Sequence, residues 1–246
     1  MDSLGSDDMT STSALKVKIF ADGANKDDMV AAAAKPFIKG LTTNPTLMRK
    51  AGITDYRAFA KEVVAAIPDR PISFEVFSDD LGEMVRQARE IASWGANVNV
   101  KIPVTNTEGR PTYGIVRELS REGISLNITA VFTLAQVRDV VAHLDPATPA
   151  FVSVFAGRIA DTGRDPMPHM AAAAALVHEH PKAELIWASP RELLNIFHAD
   201  AVGCDIITVT SDLLAKLAGC GKDLDQFSLE TVRMFRDDAV KAGYDL

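Results

Sequence analysis

The chain has 246 residues, of which 47% are hydrophobic and 24% are charged, and its formal net charge is −7. This length suits a single α/β barrel domain, which typically takes about 250 residues. The acidic balance excludes general nucleic-acid binding, because that activity needs a basic face. No uncharged apolar run reaches the length of a membrane span, so we expect no membrane partner.

The cysteine and histidine content predicts neither a disulfide framework nor a metal site. Cys204 and Cys220 are too few for a framework and lack the spacing of metal ligands. His178 and His180 lie near a predicted helix end, and we interpret them as a solvated pair. Free thiols, and a first segment without the pattern of a signal peptide, predict a cytoplasmic protein.

From residue 16 onward, short β-type runs alternate with helical stretches. The predicted strands are 17–21, 40–43, 72–77, 98–102, 125–131, 151–155, 184–188 and 206–209. The predicted helices are 26–34, 54–66, 80–94, 112–122, 133–143, 167–179, 190–201 and 211–218, with a last one at about 229–242. Eight strand–helix units favour a (β/α)₈ TIM barrel over an open doubly wound sheet. No G-x-G-x-x-G follows any strand, which removes the main support for a dinucleotide fold.

The domain organisation follows from composition. The first 14 residues are rich in Ser, Thr and Asp, and we predict a flexible leader there. No linker-like change of composition follows, so we predict one α/β domain over 15–246, a barrel with an extra C-terminal helix.

The strand that ends at Lys101 has an unusual polar face. Asn97, Asn99 and Lys101 share one face of this strand, while the alternate residues are apolar. Taken alone, this pattern favours a strand-end lysine paired with a surface carboxylate. On an inner face, however, burial disfavours a charged lysine and leaves an amine that can attack a ketone to form a Schiff base.

Polar groups follow the same pattern at or near the ends of seven consecutive strands, where the chemistry of such barrels is located. The candidate site residues are Asp22, Thr42, Asn44, Glu75, Lys101, Asn127, Thr129, Ser153, Phe155, Arg158, Ser189 and Arg191. A purely structural interior would favour branched apolar residues at these positions. The whole set therefore predicts an active site at this end of the barrel. In that setting we interpret Lys101 as a Schiff-base amine and no longer as the partner of a surface carboxylate.

These residues form a chemically coherent set. Glu75 is placed on the neighbouring strand to shuttle protons while a Schiff base forms at Lys101, and the Thr129 hydroxyl could hold a water between them. Asp22 could take a proton from a substrate hydroxyl as a carbon–carbon bond breaks. Arginines 158 and 191 could bind a phosphate, with Ser189 as a further donor.

The chain resembles the transaldolase family from about Phe20 to Leu214. The motifs that carry the resemblance are 20–24 (FADGA), 40–45 (GLTTNP), 98–103 (VNVKIP), 127–132 (NITAVF), 153–159 (SVFAGRI), 188–189 (AS) and 203–205 (GCD). The resemblance implies a Schiff-base transfer of a dihydroxyacetone unit from a ketose phosphate to an aldose phosphate. It implies no metal and no cofactor.

The resemblance also implies individual roles. Lys101 matches the Schiff-base lysine, and Glu75 and Thr129 match the pair that positions the catalytic water. Asp22 matches the acid/base for the sugar hydroxyl. The groups that hold the dihydroxyacetone hydroxyls correspond to Asn44 and Ser153, and the phosphate-binding arginines to Arg158 and Arg191.

A close alternative is the fructose-6-phosphate aldolase branch, which releases free dihydroxyacetone. That branch has Gln at the position of Glu75 and Tyr at the position of Phe155, so the residues here favour the transferase. Gly23 replaces a usual Ser or Thr, and Pro190 replaces a usual aromatic residue. These departures leave the donor and acceptor sugars open, including those of a specialised pathway beside the pentose phosphate pathway.

Two alternatives stay open, a rival from a different class and another enzyme. A barrel that only binds sugar phosphates would keep the arginines but could lose Lys101, Glu75 or Asp22. A different class I aldolase would place its lysine on a later strand. The short length resembles the small transaldolase subfamily, in which a C-terminal helix commonly contributes to subunit contacts, so we expect a homo-oligomer.

Overall fold

The computed structural model describes residues 15–245, and the predicted leader of residues 1–14 lies outside this range. Leu15–Leu214 form one compact unit, and residues 215–245 belong to a second one. No helix within 15–245 combines the length and the hydrophobicity that crossing a membrane requires.

Eight parallel strands close into a barrel in which each strand pairs with the next along the chain and the last pairs with the first. The strands are β1 (Lys18–Asp22), β2 (Ile38–Thr42), β3 (Ile72–Glu75), β4 (Val98–Pro103), β5 (Leu126–Val131), β6 (Ala150–Val154), β7 (Ala183–Trp187) and β8 (Ile206–Thr210). The predicted (β/α)₈ TIM barrel is confirmed. Every strand boundary lies within two residues of its predicted position.

Helices connect the strands on the outside of the barrel. The helices of the described chain are α1 (Lys26–Ala33), α2 (Pro45–Lys50), α3 (Tyr56–Ala66), α4 (Leu81–Ala92), α5 (Tyr113–Arg121), α6 (Leu134–His143), α7 (Ala156–Ala160), α8 (Pro166–Val177), α9 (Leu194–Ala201), α10 (Ser211–Ala215) and α11 (Leu224–Ala242). The short helices α2 and α7 were not predicted, because five or six residues are too few to show a helical period. The predicted helix 211–218 ends instead in a 3₁₀ turn, Lys216–Gly219.

Side chains alternate between the barrel interior and the layer beneath the helices. Phe20 lies on the interior side, two residues before the end of β1, and is part of a buried apolar cluster. Gly40 on β2 makes room for this ring, since a β-carbon there would lie 2.5 Å from it. Side chains of the opposite parity, such as Ile102 and Leu185, are fully buried. Alternation thus leaves the interior face available for polar groups near the strand ends.

The predicted solvated pair of histidines is wrong for one member. His180 is buried, its Nε2 lies 3.1 Å from the carbonyl oxygen of Asp145, and its Nδ1 accepts from the Lys182 N–H. His178 is more exposed and bonds to the Asp205 carboxylate at 2.9 Å. Proximity of the pair to a helix end did not reveal that the chain turns inward after α8.

The second unit contains α11, a helix of 19 residues. It begins five residues before the predicted boundary, because the side chain of Asp223 caps it by accepting from the Gln226 N–H. It ends at Gly243, whose left-handed backbone (φ 68°) suits glycine. Exposed apolar side chains are frequent in this unit: Leu224, Phe227, Leu229, Val232, Met234, Phe235, Val240 and Tyr244.

Candidate active site

A cavity of about 570 Å³ opens at the carboxyl ends of the strands. Eleven of the twelve predicted site residues line it: Asp22, Thr42, Asn44, Glu75, Lys101, Thr129, Ser153, Phe155, Arg158, Ser189 and Arg191. Its charged lining comprises four cations, Lys50, Lys101, Arg158 and Arg191, and two carboxylates, Asp22 and Glu75. The cavity is therefore net positive within an acidic protein, which suits an anionic ligand.

Lys101 is buried in this cavity, with 6% of its surface exposed. Its Nζ lies 3.2 Å from Glu75 Oε2 and donates to the Thr43 carbonyl oxygen at 3.0 Å. The register of β3, β4 and β5 aligns Glu75, Lys101 and Asn127 side by side. A surface salt bridge, the interpretation that the lysine strand alone favours, is therefore wrong.

Asn127 is the predicted residue that does not line the cavity. Its amide is buried, where Nδ2 donates to Ser73 Oγ at 3.0 Å and Oδ1 accepts from Ser153 Oγ at 2.7 Å. The three side chains link β3, β5 and β6 within the interior. Asn127 thus orients Ser153, which does reach the cavity.

Asp22 ends β1, which is separated from the Glu75 strand β3 only by β2. Burial raises the pKa of its carboxyl, and the positive charge of Lys101 and a 2.8 Å hydrogen bond from Thr42 Oγ1 oppose that rise. The Thr42 hydroxyl is also hydrogen-bonded to the hydroxyl of Thr208 on β8. Thr208 lines the cavity but was missed, although alternation from Ile206 along β8 could have found it.

Two arginines, Arg158 and Arg191, line the cavity after the ends of β6 and β7. The Arg158 guanidinium lies 5.5 Å from the centre of the Phe155 ring, within cation–π range. Arg191 Nε donates to Asp161 Oδ1 at 3.0 Å, and this ion pair lowers the pKa of the Asp161 carboxyl. Asp161 was not predicted, because it lies in the turn after α7. Asp161 thus holds Arg191 in place, while Arg158 lies over the Phe155 ring.

The backbone at the cavity rim is unusual at two residues that are not glycine. Ala130 (φ 57°) and Ser189 (φ 61°) both have left-handed conformations, which are costly for residues with a β-carbon. Both residues line the cavity. Backbone strain of this kind is commonly located at functional sites, where the surrounding structure imposes it.

The rim beside Asp22 leads into a second cavity. This cavity of about 590 Å³ shares Asp22, Leu47 and Lys50 with the first. Gly23 lines it, and a β-carbon there would meet no atom within 4 Å. Glycine in place of Ser or Thr thus leaves open space at residue 23, in the cavity that Asp22 also lines.

No group of three or more His, Cys, Asp or Glu side chains within residues 15–245 is arranged to hold a metal ion. The groups that the cavity offers are an amine, two carboxylates, hydroxyls and two guanidinium groups. With these it can form an imine, transfer protons and bind a phosphate.

Comparison with known families identifies the family of the chain. Residues 19–246 match the sequence model of the family described as Transaldolase/Fructose-6-phosphate aldolase. The chain belongs to this family. It is 37% identical over 202 residues to a probable transaldolase of Dehalococcoides mccartyi, covering 82% of the chain and 90% of that protein. It is 35% identical over 228 residues to a probable transaldolase of a Thermoanaerobacter species, covering 92% and 99%.

Solved structures support the fold of this transaldolase-family chain. An HpcH/HpaI aldolase/citrate lyase family protein from Burkholderia cenocepacia superposes with a TM-score of 0.58 at 11% identity, over 89% of the chain and 95% of that protein. Such low identity shows the fold alone. The family match, in contrast, makes this chain an enzyme of the transaldolase/aldolase family.

Proposed function

We propose that the protein is a transaldolase that transfers a dihydroxyacetone unit from a ketose phosphate, such as fructose 6-phosphate or sedoheptulose 7-phosphate, to an aldose phosphate. The observation that carries this proposal is the buried Lys101 amine, 3.2 Å from the Glu75 carboxylate in a net positive cavity. Asp22 on β1 supplies a second carboxylate to the same cavity.

In the proposed first half-reaction, the Lys101 amine attacks C2 of the ketose. The carbonyl oxygen gains protons and leaves as water, which gives a protonated imine. The Glu75 carboxyl group is within reach of the reacting nitrogen and moves protons during these steps. The Thr129 hydroxyl, at the end of the neighbouring strand β5, would hold the water that carries them.

The bond between C3 and C4 then breaks. Its electron pair moves toward the imine and forms an enamine, while Asp22 takes the proton of the C4 hydroxyl and the aldose phosphate leaves as an aldehyde. Burial raises the pKa of the Asp22 carboxyl, and a carboxylate with a raised pKa is a stronger base for taking this proton. The reverse steps with a second aldose phosphate give the new ketose and return the proton from Asp22.

Donor groups around the cavity would fix the substrate. The Asn44 side-chain oxygen caps α2 by accepting from the Leu47 N–H at 3.0 Å, which leaves the amide NH₂ for a substrate hydroxyl. Ser153, oriented by Asn127, would hold a second hydroxyl. The phosphate would bind between Arg158, Arg191 and the Ser189 hydroxyl.

The transferase is favoured over a fructose-6-phosphate aldolase by two residues. The carboxylate of Glu75 and the ring of Phe155 stand where the aldolase branch has Gln and Tyr. Phe155 packs 5.7 Å from Phe132 and carries no hydroxyl that could assist release to water. The aldolase, or a transaldolase that uses a different sugar phosphate, is the second candidate, because Gly23 opens extra space beside Asp22.

The setting and assembly of the protein are further parts of the proposal. We propose a cytoplasmic enzyme of carbohydrate metabolism that acts in the pentose phosphate pathway or beside it, since Cys204 and Cys220 are both unpaired thiols. We also propose a homo-oligomer, because several apolar side chains of α11 are exposed. Light scattering of the full chain would measure the oligomer.

Borohydride trapping with fructose 6-phosphate tests the chemistry. We expect a reduced three-carbon adduct on Lys101 in peptide mass spectra, and sedoheptulose 7-phosphate only when erythrose 4-phosphate is added. Lys101→Met should lose the adduct, whereas Lys50→Met, which removes another cavity lysine, should keep it. Adduct formation by Lys101→Met, or dihydroxyacetone release without an acceptor at the transfer rate, would contradict the proposal.

A further inference from the structure

The carboxyl end of β3 is joined to β2 by an incomplete ladder. The Leu41 N–H donates to the Pro71 carbonyl at 2.8 Å, and the Thr43 N–H donates to the Ser73 carbonyl at 3.3 Å. If this ladder continued by two residues on each strand, the N–H of residue 45 would donate to the carbonyl of Glu75. Residue 45 is proline, which has no N–H, so the Glu75 carbonyl loses this partner.

The N–H of Glu75 loses its ladder partner as well. In a parallel pair it would donate to the carbonyl of Thr43. That carbonyl instead accepts from Lys101 Nζ at 3.0 Å. The strand β3 therefore reaches the cavity with both main-chain groups of Glu75 unpaired toward β2, and unpaired main-chain groups are costly away from water.

One hydroxyl takes both bonds. Tyr56 Oη donates to the Glu75 carbonyl at 2.8 Å and accepts from the Glu75 N–H at 2.9 Å. Tyr56 begins α3, and its ring packs edge-on with Phe77 at 5.5 Å and lies 5.8 Å from Trp94. Burial raises the pKa of its phenol well above the usual range, so the hydroxyl keeps the proton that it donates.

We propose that Tyr56 is a positioning residue for the Schiff-base lysine. Its hydroxyl fixes the main chain of Glu75 and so the carboxylate beside Lys101 Nζ, and it leaves the Thr43 carbonyl for the same amine. This inference rests on the proposed function. It extends the catalytic machinery to a side chain that does not line the cavity.

The variant Tyr56→Phe tests the inference, because it keeps the ring and removes only the hydroxyl. In this variant the Glu75 N–H competes with Lys101 for the Thr43 carbonyl, and the carboxylate shifts. Small misplacements of catalytic groups cost up to about 100-fold, so we expect kcat to fall about 10- to 100-fold with KM nearly unchanged. Tyr113→Phe, on α5 against His143, is the matched control and should leave kcat unchanged.

A double-mutant cycle distinguishes positioning from general destabilisation. If Tyr56 acts through Glu75, Tyr56→Phe should slow Lys101 trapping by less than about twofold when Glu75→Ala is already present. A merely structural role would give the same loss in both backgrounds. Thermal unfolding should show that Tyr56→Phe keeps a native fold. Hydrogen exchange should be faster at its Glu75 amide than in the wild type.

The outcomes separate the two proposals. If the wild-type chain forms the Lys101 adduct but Tyr56→Phe keeps normal kcat, or its losses are additive with those of Glu75→Ala, the positioning role is overturned alone. If the wild-type chain forms no adduct with any ketose phosphate or with dihydroxyacetone, the proposed function falls and the inference falls with it.

Discussion

The carbonyl oxygen of Ser189 lies only 1.6 Å from the point that a β-carbon on Gly157 would occupy. The Gly157 N–H also faces the Ala188 carbonyl at 3.4 Å. Glycine at 157 therefore lets the start of α7, which carries Arg158, approach the end of β7, which carries Ser189. The proposed phosphate-binding residues Arg158 and Ser189 therefore lie close together because Gly157 has no side chain.

Gly157→Ala should separate these groups. We expect a loss of about 1–3 kcal/mol in the free energy of unfolding, from overpacking against a backbone oxygen, and a raised KM for phosphorylated sugars. Urea unfolding and steady-state kinetics would measure both. Gly114→Ala in α5 is the control, since a β-carbon there meets nothing within 4 Å, and it should not destabilise. Equal stability of the two variants would contradict the steric argument.

Asp22 should make stability depend on pH. Burial raises the pKa of its carboxyl in the folded protein above the usual 3.8. The contribution of Asp22 to the free energy of unfolding is therefore fully present below pH 3.8 and is lost as pH rises through the folded pKa. Asp22→Asn removes this loss, so the stability of the variant relative to wild type should increase with rising pH. Urea unfolding at several pH values would measure the slope.

Asp79 is the control, because its pKa is shifted in the opposite direction. Hydrogen bonds from Thr107 lower the pKa of the exposed Asp79, whose contribution is present above the usual value and lost as pH falls. Asp79→Asn should therefore lose stability relative to wild type as pH rises. If stability relative to wild type changed with pH in the same direction for both variants, the pKa of Asp22 would not be raised by burial.

Arg158→Ala should mainly impair phosphate binding. A hydrogen bond to a charged group contributes about 1.5–3 kcal/mol, so KM for fructose 6-phosphate should rise roughly 10- to 100-fold with a smaller change in kcat. Trapping with unphosphorylated dihydroxyacetone should be unaffected. Arg164→Ala removes an exposed arginine that bonds to Thr162 near the same turn, and it should leave KM unchanged. An unchanged KM for Arg158→Ala would mean that the phosphate binds elsewhere.

The pair of residues that favours the transferase can be exchanged. Glu75→Gln combined with Phe155→Tyr should raise the release of dihydroxyacetone without an acceptor by about tenfold relative to transfer, or roughly 1.4 kcal/mol in barrier. A coupled assay for free dihydroxyacetone would measure the ratio. Phe132→Tyr places a hydroxyl on the adjacent ring and should not change it. If the ratio stays the same in the double variant, these two residues do not decide the outcome.

The barrel and most of its lining could be predicted because alternation along a strand is a local signal. One correct strand face, such as that of Lys101, places every second residue of that strand in the interior. Asn127 shows the limit of the signal: it has the expected parity, but its hydrogen bonds lie within the interior. Parity gives the face of a residue, and the partners decide whether it reaches the cavity.

Contacts between distant segments could not be predicted in this way. Tyr56 lies 19 residues before Glu75 on a helix, and no sequence period connects them. Asp161 follows a helix too short to be recognised and reaches Arg191 across 30 residues. These contacts depend on how loops fold back on the strand ends, which a pattern in a single sequence does not encode.

The left-handed residues Ala130 and Ser189 have a consequence for laboratory evolution. A β-carbon in that conformation costs about 1–2 kcal/mol, more than the roughly 0.5–1 kcal/mol that glycine loses through its greater freedom in the unfolded chain. A selection for heat resistance alone would therefore favour glycine at both positions. Because both form the rim of the cavity, the same selection would trade turnover for thermostability, and a library meant to keep both should leave these two codons unchanged.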